Sequence, residues 1–158
     1  MDKISQDRIA LLHPKIREEV KQIMVEINEK VSSKNSFCRI AQGLRTFAEQ
    51  DALFAQRPKV TNARGGASIH NYGLAIDIVF IVDGKPSWET KKDWDKDAQS
   101  DWMEVVQIFK KHGYSWGGDW QTFKDMPHFE KPFGHTWRQL LAKYKAKDFI
   151  PGTTYVNI

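Results

Sequence analysis

At 158 residues, with 41% hydrophobic content, six tryptophans and a net charge of +4, the chain has the composition of one globular domain, which excludes a disordered or low-complexity polymer. Its single cysteine, Cys38, excludes an intramolecular disulfide framework, and its charges are too well mixed for a nucleic-acid-binding stripe. No apolar run reaches membrane-spanning length and the first residues lack the apolar h-region of a secretory signal, so a soluble monomer made in a cytoplasm is expected.

His13-Pro14 followed by Ile16, Val20, Ile23, Ile27 and Val31 spaces apolar residues by three and four, which predicts a first amphipathic helix with proline in its opening turn. Phe37 to Gln42 reads as a short strand that buries Cys38. Thr46 and Glu49 form a capping box for a second helix running to about Gln56, before Pro58. Arg57 to Ala67 is polar and glycine-bearing, hence a loop. Ala75 to Val82, rich in isoleucine and valine and closed by Asp83-Gly84, reads as a central strand. Trp94 to His112 places Ala98, Trp102, Val105, Val106 and Phe109 on one stripe, predicting a long helix capped by Gly113. Tyr114 to Trp116 and Pro127 to Glu130 are short strands. Trp137, Leu140, Leu141 and Tyr144 mark a last helix, and Pro151 onward reads as a tail. Helices set apart from a small antiparallel sheet make the chain α+β. One domain is expected over residues 1–158, with its core between about 12 and 145.

The chemistry concentrates in Ser68-Ile69-His70-Asn71-Tyr72-Gly73-Leu74-Ala75-Ile76-Asp77 and, far downstream, Asp125-Met126-Pro127-His128. Two histidines and an aspartate are ligand types that hold zinc and leave a coordination position for water. His70 and Asp77 are seven apart, an odd separation that puts them on opposite faces of a straight strand, so they converge only if the chain bends, and Gly73 permits a bend. Asp77 lies inside an apolar strand, where a carboxylate needs a cation; a metal answers that need, and so does an arginine. Pro127 disfavours helix at Met126, so Asp125 and His128 come from a turn entering a strand, unlike the His-Glu-x-x-His zinc helix. Asp125 is a candidate general base, and Glu130, on the same strand side as His128, competes with it. His13, His112 and His135 fall outside the pattern and read as surface or capping residues.

Ser-x-His-(x)6-Asp followed by a distal Asp-x-x-His resembles the M15 family of zinc peptidases. Gly43-Leu44-Arg45-Thr46 with Glu49-Gln50, the spacers Gly73 and Ala75, and Trp116-Gly117-Gly118-Asp119-Trp120 are most similar to its L-alanyl-D-glutamate endopeptidases, found in phage endolysins and bacterial wall hydrolases. The resemblance runs from about Leu12 to the C-terminus. It implies an M15 fold with one zinc per chain at the sheet, held by His70, Asp77 and His128. It implies Asp125 as base, although other branches carry glutamate there. It also implies Arg45 as the arginine facing substrate, whose planar fork holds a carboxylate or carbonyl and stabilises an oxyanion. Ser68, Gln50, Trp120 and Tyr72 are further candidates for substrate contact, with Ser68 alternatively orienting the ligand loop and Gln50 alternatively supporting Arg45.

The expected function is therefore endolysin-like, bacteriolytic hydrolysis of the L-alanyl-D-glutamate bond in the peptidoglycan stem peptide. No membrane insertion and no separate wall-binding domain are expected, and release to the wall would depend on a holin. The alternatives are a D-alanyl-D-alanine carboxypeptidase or dipeptidase using the same apparatus, and a non-catalytic zinc-containing recognition module.

Overall fold

The computed structural model describes residues 1–158. Helix α2, Pro14–Val31, turns Ile16, Val20, Ile23, Met24, Ile27 and Val31 inward, as its apolar spacing requires. It is preceded by α1, Lys3–Ala10, which apolar spacing does not mark. Only Ser5 and Ile9 of α1 are buried, too few to produce a stripe, and one of them is polar. Ser5 accepts a hydrogen bond from the backbone N–H of Ile40 at 3.0 Å, so α1 is held partly by a polar contact that hydrophobic periodicity does not register.

The sheet is antiparallel throughout. Strands β1 (Ser36–Gln42), β2 (Ala75–Val82), β5 (His128–Glu130) and β4 (Ser115–Trp116) lie in the order β1-β2-β5-β4, and β3 (Lys85–Ser87) returns as a hairpin onto β2. On β2, Ile76, Ile78 and Phe80 join the core, and Asp77 necessarily faces the other side. On β5, Phe129 faces the core and stacks on Phe109 at 4.4 Å, which sends His128 and Glu130 to the face of Asp77. Fully buried Trp102, Phe80, Phe109 and Phe129 anchor the core, each worth roughly 1.5–3 kcal/mol by area. No helix is long and apolar enough to cross a membrane.

Helix α3, Phe47–Ala55, begins at the Thr46–Glu49 capping box, with both reciprocal hydrogen bonds formed. Helix α5, Trp137–Lys145, also carries a capping box, between Thr136 and Gln139. Helix α4 spans only Asp101–Lys111, so its expected start at Trp94 is corrected. Asp93 accepts from the N–H groups of Lys96, Asp97 and Ala98, winding this stretch into a loop, and Ser100 caps the helix instead. Ala98 has φ +73° and is exposed, not part of the stripe.

The C-terminal stretch is not a tail. Phe149 bridges to Val156, which is buried, and the Val156 carbonyl accepts from His13 Nε2 at 2.8 Å. His13 is correspondingly buried and caps α2 through Nδ1, which corrects its reading as a possible surface residue. Burial lowers its pKa, although the bond to Val156 opposes this.

Gly73 makes the bend between His70 and Asp77. Its φ is +69°, its carbonyl accepts from His13 N–H at 2.9 Å, and a Cβ there would meet that same nitrogen at 2.7 Å. Gly73→Ala adds a strained φ to a backbone clash and is expected to cost about 2–4 kcal/mol in urea unfolding. A loss within error of zero would show that the bend tolerates a side chain.

Candidate metal centre and groove

Asp77 and His128 are direct cross-strand partners in the β2–β5 register. His70 comes from a 3-10 turn, Ile69–Tyr72, whose following bend at Gly73 returns its imidazole over the start of β2. Three donors converge: His70 Nε2, His128 Nδ1 and Asp77 Oδ1 are each 3.2 Å from the other two. Donors about 2.0–2.2 Å from one tetrahedral ion stand roughly 3.3–3.5 Å apart, so the spacing fits such an ion.

The remaining ring nitrogens are engaged. His70 Nδ1 lies 2.8 Å from the Gly43 carbonyl and His128 Nε2 lies 2.7 Å from Glu130 Oε2. Donation of a proton along each contact leaves His70 Nε2 and His128 Nδ1 free to ligate, the arrangement that orients metal-binding histidines. Burial pushes the Asp77 carboxyl up, but the charges and hydrogen bonds of the two histidines outweigh it and hold it well below the usual range. Burial lowers His128, yet the hydrogen bonds and charges of Asp77 and Glu130 outweigh it and raise it to about 9.

Arg45 Nη2 stands 3.7 Å from Asp77 Oδ2, so the carboxylate meets an arginine on one oxygen and the histidines on the other. Its Nη1 donates to Gln50 Oε1 at 2.9 Å. Asp125 lies on the ligand side of His128, with Oδ2 3.9 Å from Nδ1, and is half exposed. Burial and the Asp77 charge raise its pKa. The two carboxylates near His128 thus occupy different places: Glu130 behind the ring, Asp125 in front of it. Gly117 makes this possible, because a Cβ there would collide with the Asp125 carbonyl and approach His128 Cβ to 3.1 Å.

A groove of about 980 Å³ runs over this centre, with Arg45, Ser68, His70, Asp77, Trp120, Asp125 and His128 among its walls. Trp120 packs over the His128 ring at 5.1 Å. Ser68 reaches the groove and also caps the 3-10 turn, accepting from His70 N–H. Two expected contacts do not reach it. Gln50 is fully buried and bridges Arg45 to the Ala63 carbonyl, and Tyr72 is buried against Phe47 with its hydroxyl donated to the Gly66 carbonyl. Both are excluded as substrate contacts because other parts of the fold cover them.

Asn71 was missed. Its Oδ1 accepts from Gly66 and Ser68 N–H and its Nδ2 donates to the Arg45 carbonyl, tying the His70 turn to the arginine segment. Its place beside His70 was the only signal available. The walls formed by Val60, Phe123 and Trp137 were also missed: Val60 and Trp137 stand outside the motif segments, and Phe123, although two residues before Asp125, belongs to no recognisable spacing.

Tyr72→Phe strands the Gly66 carbonyl without altering the groove. It is expected to lower stability by about 1–2 kcal/mol, read as a shifted denaturation midpoint at unchanged slope. An unchanged midpoint would mean that the carbonyl finds another donor.

A family model described as D-alanyl-D-alanine carboxypeptidase, of the M15 peptidase group, matches residues 61–131. The chain is 46% identical over 117 residues to the peptidoglycan L-alanyl-D-glutamate endopeptidase CwlK of Bacillus subtilis (strain 168), spanning 70% of each protein. It is also similar to the crystal structure of Serratia marcescens L-Ala D-Glu endopeptidase ChiX, with TM-score 0.56 and 26% identity over 84% of this chain and 90% of that one.

Proposed function

Since this chain belongs to the M15 family of metallopeptidases, we propose that it is a zinc-dependent endopeptidase cutting the L-alanyl-D-glutamate bond of peptidoglycan stem peptides. The observation that carries the bond assignment is the 46% identity to CwlK, which is named for that specificity. The donor set supports the metal: two imidazoles and one carboxylate at mutual distances of 3.2 Å suit zinc better than calcium or magnesium, which prefer oxygen. Arg45, Lys59 and Arg138 line the same groove, cations suited to a substrate bearing the D-glutamate carboxylate.

His70, Asp77 and His128 would hold the ion. When bound it supplies Lewis acidity, lowering the pKa of water to roughly 7 and polarising the scissile carbonyl. Asp125 takes the proton from the attacking water and delivers it to the departing amine, a role that its raised pKa and half-open position favour. Arg45, steadied by buried Gln50, presents its remaining donors to the carbonyl oxygen as charge develops there. Glu130 holds His128 in the ligating tautomer. Trp120 and the groove walls orient the peptide.

His70→Ala and His128→Ala are each expected to lose bound zinc in metal analysis, and undiminished zinc in both would end the assignment. Asp125→Ala should keep zinc and fold while losing roughly 10²–10⁴ of the hydrolysis rate. Glu130→Ala should weaken zinc affinity about 10–100-fold and recover much of its rate in excess zinc. An inactive, zinc-replete Glu130→Ala beside an active Asp125→Ala would reverse the two roles.

Mass analysis of products from purified peptidoglycan, with and without chelator, tests the bond. Cleavage after L-alanine is expected whether or not the stem retains D-Ala-D-Ala, and Arg45→Lys should lose most of it because a point charge cannot replace the planar fork. Release of D-alanine or D-Ala-D-Ala, with the L-alanyl-D-glutamate bond intact, would establish the carboxypeptidase or dipeptidase reading that the family description carries.

A further inference from the structure

The loop before α4 has a composition that the groove chemistry does not use. Asp93, Asp95, Asp97, Asp101 and Glu104 occupy positions 1, 3, 5, 9 and 12 of a twelve-residue stretch. Calcium loops of the EF-hand type place oxygen ligands at those positions, with a backbone carbonyl at position 7 and a glycine turn at position 6. Here position 6 is Ala98, which nevertheless adopts the left-handed φ of +73° that glycine supplies in such loops.

The carboxylates converge in space. Ligand atoms of Asp93, Asp95 and Asp101 lie within 4.8 Å of one another, as do those of Asp95, Asp97 and Glu104, with Asp95 common to both groups.

Acidic clusters on surfaces are common without an ion, but two oxygens here are not at the surface. Asp101 is completely buried; its Oδ1 accepts from Trp94 N–H at 3.1 Å, whereas its Oδ2 is buried with no hydrogen-bond partner. Glu104 Oε2 is likewise buried and unpartnered. A native fold rarely leaves carboxylate oxygens desolvated without a donor or cation. These two are the only buried side-chain polar atoms in the chain without a partner, and both fall in one cluster.

We propose that Asp93–Glu104 is a calcium-binding loop, with Asp93, Asp95, Asp97, Asp101 and Glu104 as its side-chain ligands. An all-oxygen ligand set selects a hard cation, and the large ligand number favours calcium over magnesium, which demands six ligands in a tight octahedron. The absence of histidine and cysteine separates this site from the zinc centre. Burial and the neighbouring carboxylates push Asp101 up to about 6 and Glu104 to about 7, in keeping with negative charge crowded where a cation belongs.

The site has a route to the groove. Asp101 and Glu104 lie in the first turn of α4, and fully buried Trp102 between them donates its indole N–H to the Met126 carbonyl at 3.3 Å. Met126 separates Asp125 from Pro127-His128. Calcium fixing the start of α4 therefore also steadies the turn that carries Asp125 and His128.

The test uses the 158-residue chain freed of calcium on a chelating resin and reloaded with one equivalent of zinc. Calorimetric titration with calcium chloride should give one saturable site per chain, with Kd in the range of about 10⁻⁹–10⁻³ M spanned by such loops. Saturating calcium should raise Tm by roughly 5 °C or more, with a smaller shift from equal magnesium. Glu104→Gln removes no hydrogen bond from Oε2, so it should lose the calcium heat and Tm shift yet melt no lower than wild type in calcium-free buffer. Asp101→Asn should behave similarly, and if it fails to fold, Glu104→Gln decides. Absence of saturable binding by wild type, a magnesium shift equal to that of calcium, or a full calcium response in Glu104→Gln would each overturn the site.

Discussion

A carboxylate placed inside an apolar strand is the constraint around which the groove face is organised. β2 is buried along nearly its whole length, and Asp77 is its one acidic residue. Leaving that charge uncompensated would cost several kcal/mol, so its neighbours must bring positive charge or donors. Three chain segments do so. β5 pairs in the register that sets His128 opposite, the bend at Gly73 returns His70, and the segment leaving β1 delivers Arg45. A bulge between Ile40 and Gln42 helps re-aim that last segment, and the Arg45 N–H then donates to the His70 carbonyl. The same convergence that relieves Asp77 assembles a donor set suited to a metal ion.

Strand alternation then distributes the other carboxylates. Glu130, two residues beyond His128, shares its face and meets the outer ring nitrogen, whereas Asp125, in the turn before the strand, approaches from the ligand side. Shared polarity does not make them equivalent. One is bound to an imidazole at 2.7 Å and is committed to orienting it, while the other is half exposed with a raised pKa. The close approach at Gly117 keeps the Asp125 turn pressed against the 3-10 turn Gly117–Asp119 that follows β4, so this division depends on a missing side chain as much as on the carboxylates themselves.

Helix α4 links the acidic loop, the core and the groove. Its inner face contributes Trp102, Val105, Val106 and Phe109 to the core, and two tryptophans, Trp102 and Trp116, both donate to the Met126 carbonyl. That carbonyl is therefore a fixed point from which the turn to His128 departs. The loop ahead of α4 is wound by Asp93 and left with unpartnered carboxylate oxygens at its inner end, so its local order and its charge pull in opposite directions.

The sequence alone determined the periodic elements and the chemistry of the motif. α2, β1, β2, α5 and the Thr46 capping box follow from apolar spacing and cap residues, because those signals act over a few neighbouring positions. The donor types at His70, Asp77 and His128 were legible for the same reason, and the need for a bend at Gly73 followed from strand alternation. Only the tertiary structure decided which neighbours those residues meet. Gln50 and Tyr72 sit close in sequence to motif residues yet lie behind the groove wall, since burial is set by segments folded over them. The resemblance alone ranks Asp125 ahead of Glu130; the physical reason for that ranking is the orientation of the His128 ring, which the β2–β5 register and the Gly117 contact supply. Trp94 to Ser100 read as helix because apolar spacing does not register the competition from Asp93 for backbone N–H groups. The acidic loop stayed hidden because Ala98 stands where glycine marks such loops, and its left-handed backbone is a property of the folded chain, not of the residue.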